Sequence, residues 1–284
     1  MAWTSAQRTV FSSMLSAYIQ KNLVFKNCVN YKWEPEAVRS KVVTINRLGA
    51  ISTYTYVPEM GQISSSAPVF TSQNLTLDQY KYFNVPVDDI LYATTNIELF
   101  RPIAEKGGYE LAQVMDAAIA AQYSNITTVV SASTSTTSSV LVQNGATESA
   151  TTASAYDWII NLQTKLDENH VPSTNRYVIA PSWFVNMVAK DDRFASFDQS
   201  VRQFGVMGSI ADMTVLKSEN VSTVGDGKAI MALHQDAISF ATGLENLEQL
   251  RSTTEFSTYI RALAVYGIKT VEPTYGAILY ARTV

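Results

Sequence analysis

Three pairs of neighbouring acids, Asp88-Asp89, Asp167-Glu168 and Asp191-Asp192, carry the side chains that general acid and base catalysis would use. A carboxyl can donate a proton and a carboxylate accept one, provided that their surroundings set the two pKa values apart. Asp88-Asp89 precedes a helical region, where it suits the positive end of the helix dipole. The other two pairs fall at helix C-terminal ends in polar turns. Solvated loop charge explains all three better than catalysis does. The two histidines, His170 at a helix end and His234 beside a strand, each stand alone and read as satisfied structural residues. A hydrolase or transferase joining Asp88 or Asp89 to a distant histidine is the enzyme alternative, and the sequence offers no geometry for it.

Other chemistry is absent from the motifs. Gly225-Asp-Gly-Lys228 lacks the leading glycine and the hydroxyl of a phosphate-binding loop, and reads as a turn between strands. There is no G-x-S-x-G elbow, no H-E-x-x-H and no G-x-G-x-x-G. No catalytic, cofactor-binding or metal-binding residue is therefore expected. Cys28 is the single cysteine, so the chain forms no internal disulfide and no cysteine metal cage, which suits a reducing compartment. Arg39, Lys41 and Arg47, with Tyr54 and Tyr56 nearby, could stack single-stranded nucleic acid. The formal net charge of −4 favours protein–protein salt bridges for them instead.

The elements that position these residues change along the chain. Within residues 1–30, Val10, Phe11, Met14, Leu15, Tyr18 and Ile19 fit one short amphipathic helix, followed by an extended run over 23–29. From 32 to 87 the pattern is β, with outgoing strands near 39–48 and 52–57, breakers at 58–62 and 64–68, and a return run over 73–85. Two arms of about 15 residues reach roughly 50 Å. A ribbon that long with few core residues needs another surface, and the reading is an intermolecular arm, with an ordinary sheet edge as the alternative. A helix runs from about 97 towards Tyr123, with a bend or break expected at Gly107-Gly108. Residues 125–155 are polar loop or hairpin. A second helix spans 155–168, with Trp158, Ile159, Leu162 and Leu166 on one stripe. A buried strand over 176–181 leads to a third helix N-capped by Ser182. Strands follow at 214–216, 228–233 and 237–240, then two long strands broken at Gly267 and at 273–276. This mixture without a βαβ rhythm indicates an α+β fold.

Hydrophobic residues make up 46% of the 284-residue chain and charged residues 16%, against about 25% in an ordinary soluble domain. The surface must be rich in hydroxyls, amides and tyrosine, as suits a face that meets other protein. No window approaches the ~18 apolar residues of a transmembrane helix, and no secretory pattern opens the chain. A soluble intracellular product without membrane contact is expected.

The order of features resembles the major capsid proteins of tailed bacteriophages, the Hong Kong 97 fold family. The helix ending Glu110-Leu-Ala-Gln-Val-Met-Asp-Ala-Ala-Ile-Ala resembles the family's long spine helix. Val171-Pro-Ser-Thr-Asn-Arg-Tyr-Val-Ile-Ala-Pro-Ser182 resembles its helix-to-strand passage in the axial domain. Gly205-Val-Met-Gly-Ser-Ile-Ala-Asp-Met-Thr-Val-Leu is similar to its glycine-rich turn into a strand, with Asp212 where glycine is expected. Aspartate tolerates positive φ better than most residues. Ala237-Ile-Ser-Phe-Ala241 and Tyr266-Gly-Ile-Lys-Thr-Val-Glu-Pro-Thr-Tyr-Gly look like the returning strands of the peripheral domain.

The resemblance implies an N-terminal arm over 1–31, an extended loop over 32–88 and a peripheral domain with spine helix over 89–149. It implies an axial domain over 150–235 and returning peripheral strands over 236–284. It also implies self-assembly into pentamers and hexamers of an icosahedral shell around double-stranded phage DNA, held non-specifically. Separate scaffolding, portal and decoration proteins are implied partners, and the virion capsid, assembled in the host cytoplasm, is the implied location. Phe11, Leu15, Trp33, Arg39, Arg47, Tyr54, Tyr56 and Tyr80 are expected at subunit interfaces. An encapsulin-like nanocompartment shell is the alternative within the same fold.

Overall fold

A computed structural model describes residues 24–49, 51–55, 65–89, 100–130, 139–143, 149, 152–191 and 209–283. The expected helix around Val10–Ile19 lies outside them. The first part of the chain holds α1 (Glu34–Ser40), β1 (Val42–Leu48), β2 (Phe70–Thr76), β3 (Gln79–Asp88) and α2 (Phe100–Ala120). Then come β4 (Thr128–Val129), β5 (Val140–Val142), β6 (Thr152–Ala153), α3 (Ala155–Glu168), β7 (Arg176–Ala180) and α4 (Ser182–Ala189). The last part is nearly all strand. It holds β8 (Ser209–Ile210), β9 (Met213–Lys217), β10 (Thr223–Val224), β11 (Gly227–His234), β12 (Ile238–Arg251), β13 (Ser257–Thr270) and β14 (Gly276–Thr283). The fold is α+β, as the sequence indicates.

A mixed sheet of nine strands forms the body, in the order β6-β5-β14-β11-β7-β9-β8, with β10 beside β11 and β4 beside β14. Both of its faces are covered, which is why β11 and β14 read as unbroken apolar runs instead of alternating ones. On β11, Ala229, Met231 and Leu233 join Leu111, Met115 and Ile119 of α2 in one core. Ile230 and Ala232 point the other way, into a second core with Trp158, Ile159, Leu162 and Leu166 of α3 and Phe184, Val185 and Val188 of α4. Helix α3 begins where its sequence predicts: Ser154 Oγ accepts from the Asp157 N–H at 3.2 Å and caps it. Helix α4 departs from expectation, because Ser182 is its first helical residue and Pro181 its cap. The Glu219 carboxylate takes over the capping role, accepting from the Ser182 N–H at 2.8 Å and from its hydroxyl.

A second sheet runs β12-β13-β3. Helix α2 lies against it without a break, contrary to the expected interruption at Gly107-Gly108. A Cβ on Gly107 would come within 2.7 Å of the Phe83 ring of β3, so the glycine serves close approach of helix and strand. Strand β13 likewise runs straight through Gly267, where a break was expected; the interruption at 273–276 is present as a short 3-10 turn, Pro273–Tyr275. Asp212 adopts φ 59° at the turn into β9, a positive value that aspartate tolerates better than most residues.

The stretch read as extended over 23–29 contains instead a 3-10 helix, Phe25–Cys28. Its cause is Asp116 on α2, a residue 1% exposed that accepts from the Val24 N–H at 3.0 Å and the Phe25 N–H at 3.4 Å. Burial pushes the Asp116 carboxyl up to about 6, and hydrogen bonds from Val24, Phe25 and Asn220 offset that only in part. The folded chain therefore holds this proton more tightly than the unfolded one. The stabilising contribution is full below the ordinary aspartate pKa and is lost as pH rises through about 6. Asp116→Asn removes this slope. Wild-type stability is expected to fall relative to the variant by on the order of 2–3 kcal/mol between pH 4 and pH 7. Urea midpoints measured across that range check it, and parallel curves would refute it.

Candidate assembly surface

Of the basic and aromatic residues singled out in the sequence, Trp33, Arg39, Lys41, Arg47 and Tyr54 belong to the β1-β2 hairpin and its root. Helix α1 leads into it, with Pro35 in its first turn and Glu34 and Glu36 complementing the helix dipole. It ends at Lys41, whose φ of 60° turns the chain and whose N–H donates to the Ala37 carbonyl at 2.8 Å. β1 and β2 pair antiparallel from Val42↔Thr76 to Leu48↔Phe70. Val43, Ile45 and Leu75 point inward, onto Ala37 of α1, Ala241 of β12, Val265 of β13 and Leu77. The outward face is polar and linked across the strands: Thr44 Oγ1 donates to Asn74 at 3.0 Å, and Ser72 Oγ donates to Asn46 at 2.8 Å. Among the described residues the β1-β2 ladder is seven residues a side, and residues 50 and 56–64 of the arms read from the sequence lie outside them. The return run over 73–85 is two strands, because the chain crosses β13 at Gly267 before β3 joins the second sheet.

Beyond Leu48 and Phe70 the described chain is exposed, and large apolar side chains alternate there with serines and threonines. Ile51 is 71% exposed, Val69 65%, Phe70 64% and Tyr54 54%. Tyr80 and Tyr82 on β3 are also exposed, and Arg39 stands on the open face of α1. Trp33 is half-buried against the apolar cluster beneath the hairpin, with the Lys32 ammonium 5.7 Å above its ring. Arg47 is engaged inside the chain by Glu272. Phe11, Leu15 and Tyr56 lie outside the described residues.

The acids of the enzyme alternative are used structurally. Asp89 pairs with Arg251 at 2.5 Å, Asp167 with the buried Arg176 at 2.7 Å, and Glu168 with Lys165 at 2.6 Å. Asp88 and Asp89 close one end of the three-stranded sheet, while His234 belongs to the nine-stranded sheet and His170 to the end of α3. His234 is buried edge-on against Tyr275, and its Nδ1 accepts from the Asp236 N–H at 3.2 Å. Desolvation holds its pKa below the ordinary histidine value, with a smaller opposite push from Asp236. Asp192 lies outside the described residues. Among the described residues no group of three or more His, Cys, Asp or Glu converges as metal ligands. An open cleft of about 330 Å³ between Trp183, Asp226, Lys228 and Arg282 is bridged by the Asp226–Arg282 ion pair. Burial pushes the Cys28 thiol far up, so it is inert as a nucleophile.

Solved structures share this architecture. A structure from Mycobacterium phage Che8 aligns with a TM-score of 0.70 at 25% identity over 90% of each chain. The capsid of cyanophage P-SCSP1u aligns with a TM-score of 0.61 at 16% identity, covering 86% of this chain and 84% of that one. A virus-like particle from Pyrococcus furiosus aligns at 0.58 with 10% identity over 95% and 97%, a likeness of fold alone. No curated protein matched the sequence. The fold is that of the Hong Kong 97 type capsid proteins. The phage capsid protein family model matches residues 71–279, and the chain belongs to that family. It is a major capsid protein, a structural component of an icosahedral phage capsid.

The hairpin was legible in the sequence as a ribbon short of core residues. Gln73, Glu272, Gly267 and Asp116 were not, because each acts through a partner 90 or more positions away.

Proposed function

We propose that copies of this capsid protein close into pentamers and hexamers of an icosahedral shell around double-stranded DNA, with the hairpin lying across an adjacent copy. The carrying observation is the run of exposed apolar side chains on the hairpin, Leu48, Ile51, Tyr54, Val69 and Phe70, beyond the point where the body covers it. A monomer gains nothing from holding these in water, whereas burial of each stabilises a contact by about 1.5–3 kcal/mol. Residues 1–31 act as an arm, 32–88 as the extended loop, 150–235 as the axial domain, and 89–149 with 236–284 as the peripheral domain. Tyr54 and Tyr80 are interface residues by their exposed rings, and Arg39 as an exposed cation on α1. The chain carries no catalysis. Its net charge of −4 holds DNA by confinement more than by affinity. Scaffolding, portal and decoration functions fall to separate proteins, and assembly takes place in the host cytoplasm before the chain resides in the virion. The family match favours this over a nanocompartment shell.

Gel filtration and negative-stain electron microscopy test the reading, on the chain expressed alone and then with neighbouring phage genes. Closed shells tens of nanometres across in either preparation support it. A lasting monomer in both overturns it.

A further inference from the structure

One point on the hairpin separates the part this chain holds from the part it leaves free. The inward-facing row reads Val43, Ile45, Arg47 on β1 and Leu75, Gln73 on β2. The first members are apolar and buried on the body. The last member on each strand is polar, and both reach the same target. Arg47 Nε ion-pairs with the Glu272 carboxylate, and its Nη1 donates to the Val271 carbonyl at 3.3 Å. Gln73 Nε2 donates to that same carbonyl, also at 3.3 Å. The target is firm, since the Val271 and Glu272 N–H groups both donate to the Ala237 carbonyl, at 2.9 and 3.2 Å. The other carboxylate oxygen of Glu272 is buried without a hydrogen bond among the described residues, and two charges act on this carboxylate: Arg47, which favours its ionised form, and Asp236, which opposes it.

We propose that Arg47, Gln73 and Glu272 are positioning residues that aim the hairpin at its neighbour; the inference rests on the reading of the hairpin as an assembly arm. The apolar root holds the hairpin on the body but tolerates sliding, because apolar contact is not directional. A guanidinium fork on a carboxylate and a carbonyl is directional. Each extended residue beyond the clamp adds roughly 3.3 Å of lever arm. A small rotation at the clamp therefore becomes a large displacement where the hairpin meets another copy, and hence a change in shell curvature.

Amide hydrogen exchange on the full-length chain tests the clamp apart from assembly. Arg47→Gln should accelerate exchange at residues 46–48 and 70–72 by about tenfold while β11 and β14 stay unchanged. The swap Arg47→Glu with Glu272→Arg should restore slow exchange, which a role in mere packing would not allow. Arg47→Lys, which keeps the charge but not the fork, should fall between them, and it stands in if Arg47→Gln does not fold. Electron microscopy should then show a broad range of particle sizes for Arg47→Gln and a single size for the swap. Unchanged exchange in both single variants, or failure of the swap to restore it, overturns the proposal. Normal shells from a chain lacking the hairpin tip would overturn the assembly-arm reading instead, and leave the exchange result standing as a statement about the clamp.

Discussion

Replacing residues 50–68 with an Asn-Gly turn is expected to abolish shell formation while leaving a folded, soluble monomer. The join is already prepared, since the Gly49 N–H donates to the Val69 carbonyl at 2.8 Å. A two-residue turn between them continues the antiparallel ladder with the twist that the strands prefer. The root keeps Val43, Ile45, Leu75 and Leu77 on their cluster, so the thermal midpoint should move little. What is lost is surface that the monomer never buries, including Ile51 and Tyr54. At the usual yield of apolar burial, those two side chains alone remove at least about 3 kcal/mol from each contact. That raises the protein concentration needed for assembly by more than about 100-fold per contact, and a closed shell multiplies the loss over many contacts. Gel filtration gives the monomer and electron microscopy the absence of particles; shells of normal size would refute the prediction.

The second large effect is expected at Gly267. A side-chain carbon there would overlap the Thr76 carbonyl oxygen outright, lie 2.8 Å from its carbon and 3.2 Å from the Leu77 Cα. All of these are backbone atoms, which cannot swing aside as a flexible side chain can. Gly267→Val must therefore push the β2-β3 crossing off β13, exposing Leu75 and Leu77, which are buried in the wild type. Overpacking combined with two uncovered leucines is expected to cost about 4 kcal/mol, a drop of roughly 10 °C in thermal midpoint. Gly243 on β12 is the internal control. A carbon there would meet Val38 at 3.7 Å and the Val265 carbonyl at 3.9 Å, which is ordinary contact. Gly243→Ala should stay within about 1 kcal/mol of wild type. Equal midpoints for the two variants would show that the crossing does not depend on the missing Cβ.

Gly267, together with Gly107, also marks where sequence reasoning stopped. Helix α3 was readable to its ends because its signals are local, one apolar stripe and a stop before Pro172, and the Ser154 cap that the structure adds is local too. β7 and β11 were readable because burial on both faces writes itself as a nearly unbroken apolar run. Gly107 and Gly267 were taken as breaks because glycine weakens an isolated helix or strand; both instead mark close approach by Phe83 and by the 76–77 backbone. Phe25–Cys28 was taken as extended because its organiser, Asp116, lies 91 residues away from Phe25. The same distance in sequence hid the Arg47–Glu272 clamp, whose members are separated by 225 positions. The exposed hairpin was anticipated in kind, from its shortage of core residues, and its ladder among the described residues covers Val42–Leu48 and Phe70–Thr76.

The placement of β14 carries a consequence for how the chain is made. It is the last strand in chain order among the described residues, yet it sits in the interior of the nine-stranded sheet, bonded to β11 on one side and to β4 and β5 on the other. Without it β5 and β6 have no connection to the rest of the sheet, and both cores lack Ile278, Leu279 and Tyr280. Pairings that span this much sequence form late and slowly. The hairpin is synthesised long before the body can close around its root. A chain still on the ribosome therefore has the hairpin strands but no finished body beneath them. Both cores can close only after synthesis has passed this last strand. The strand order thereby places completion of the body at the end of translation.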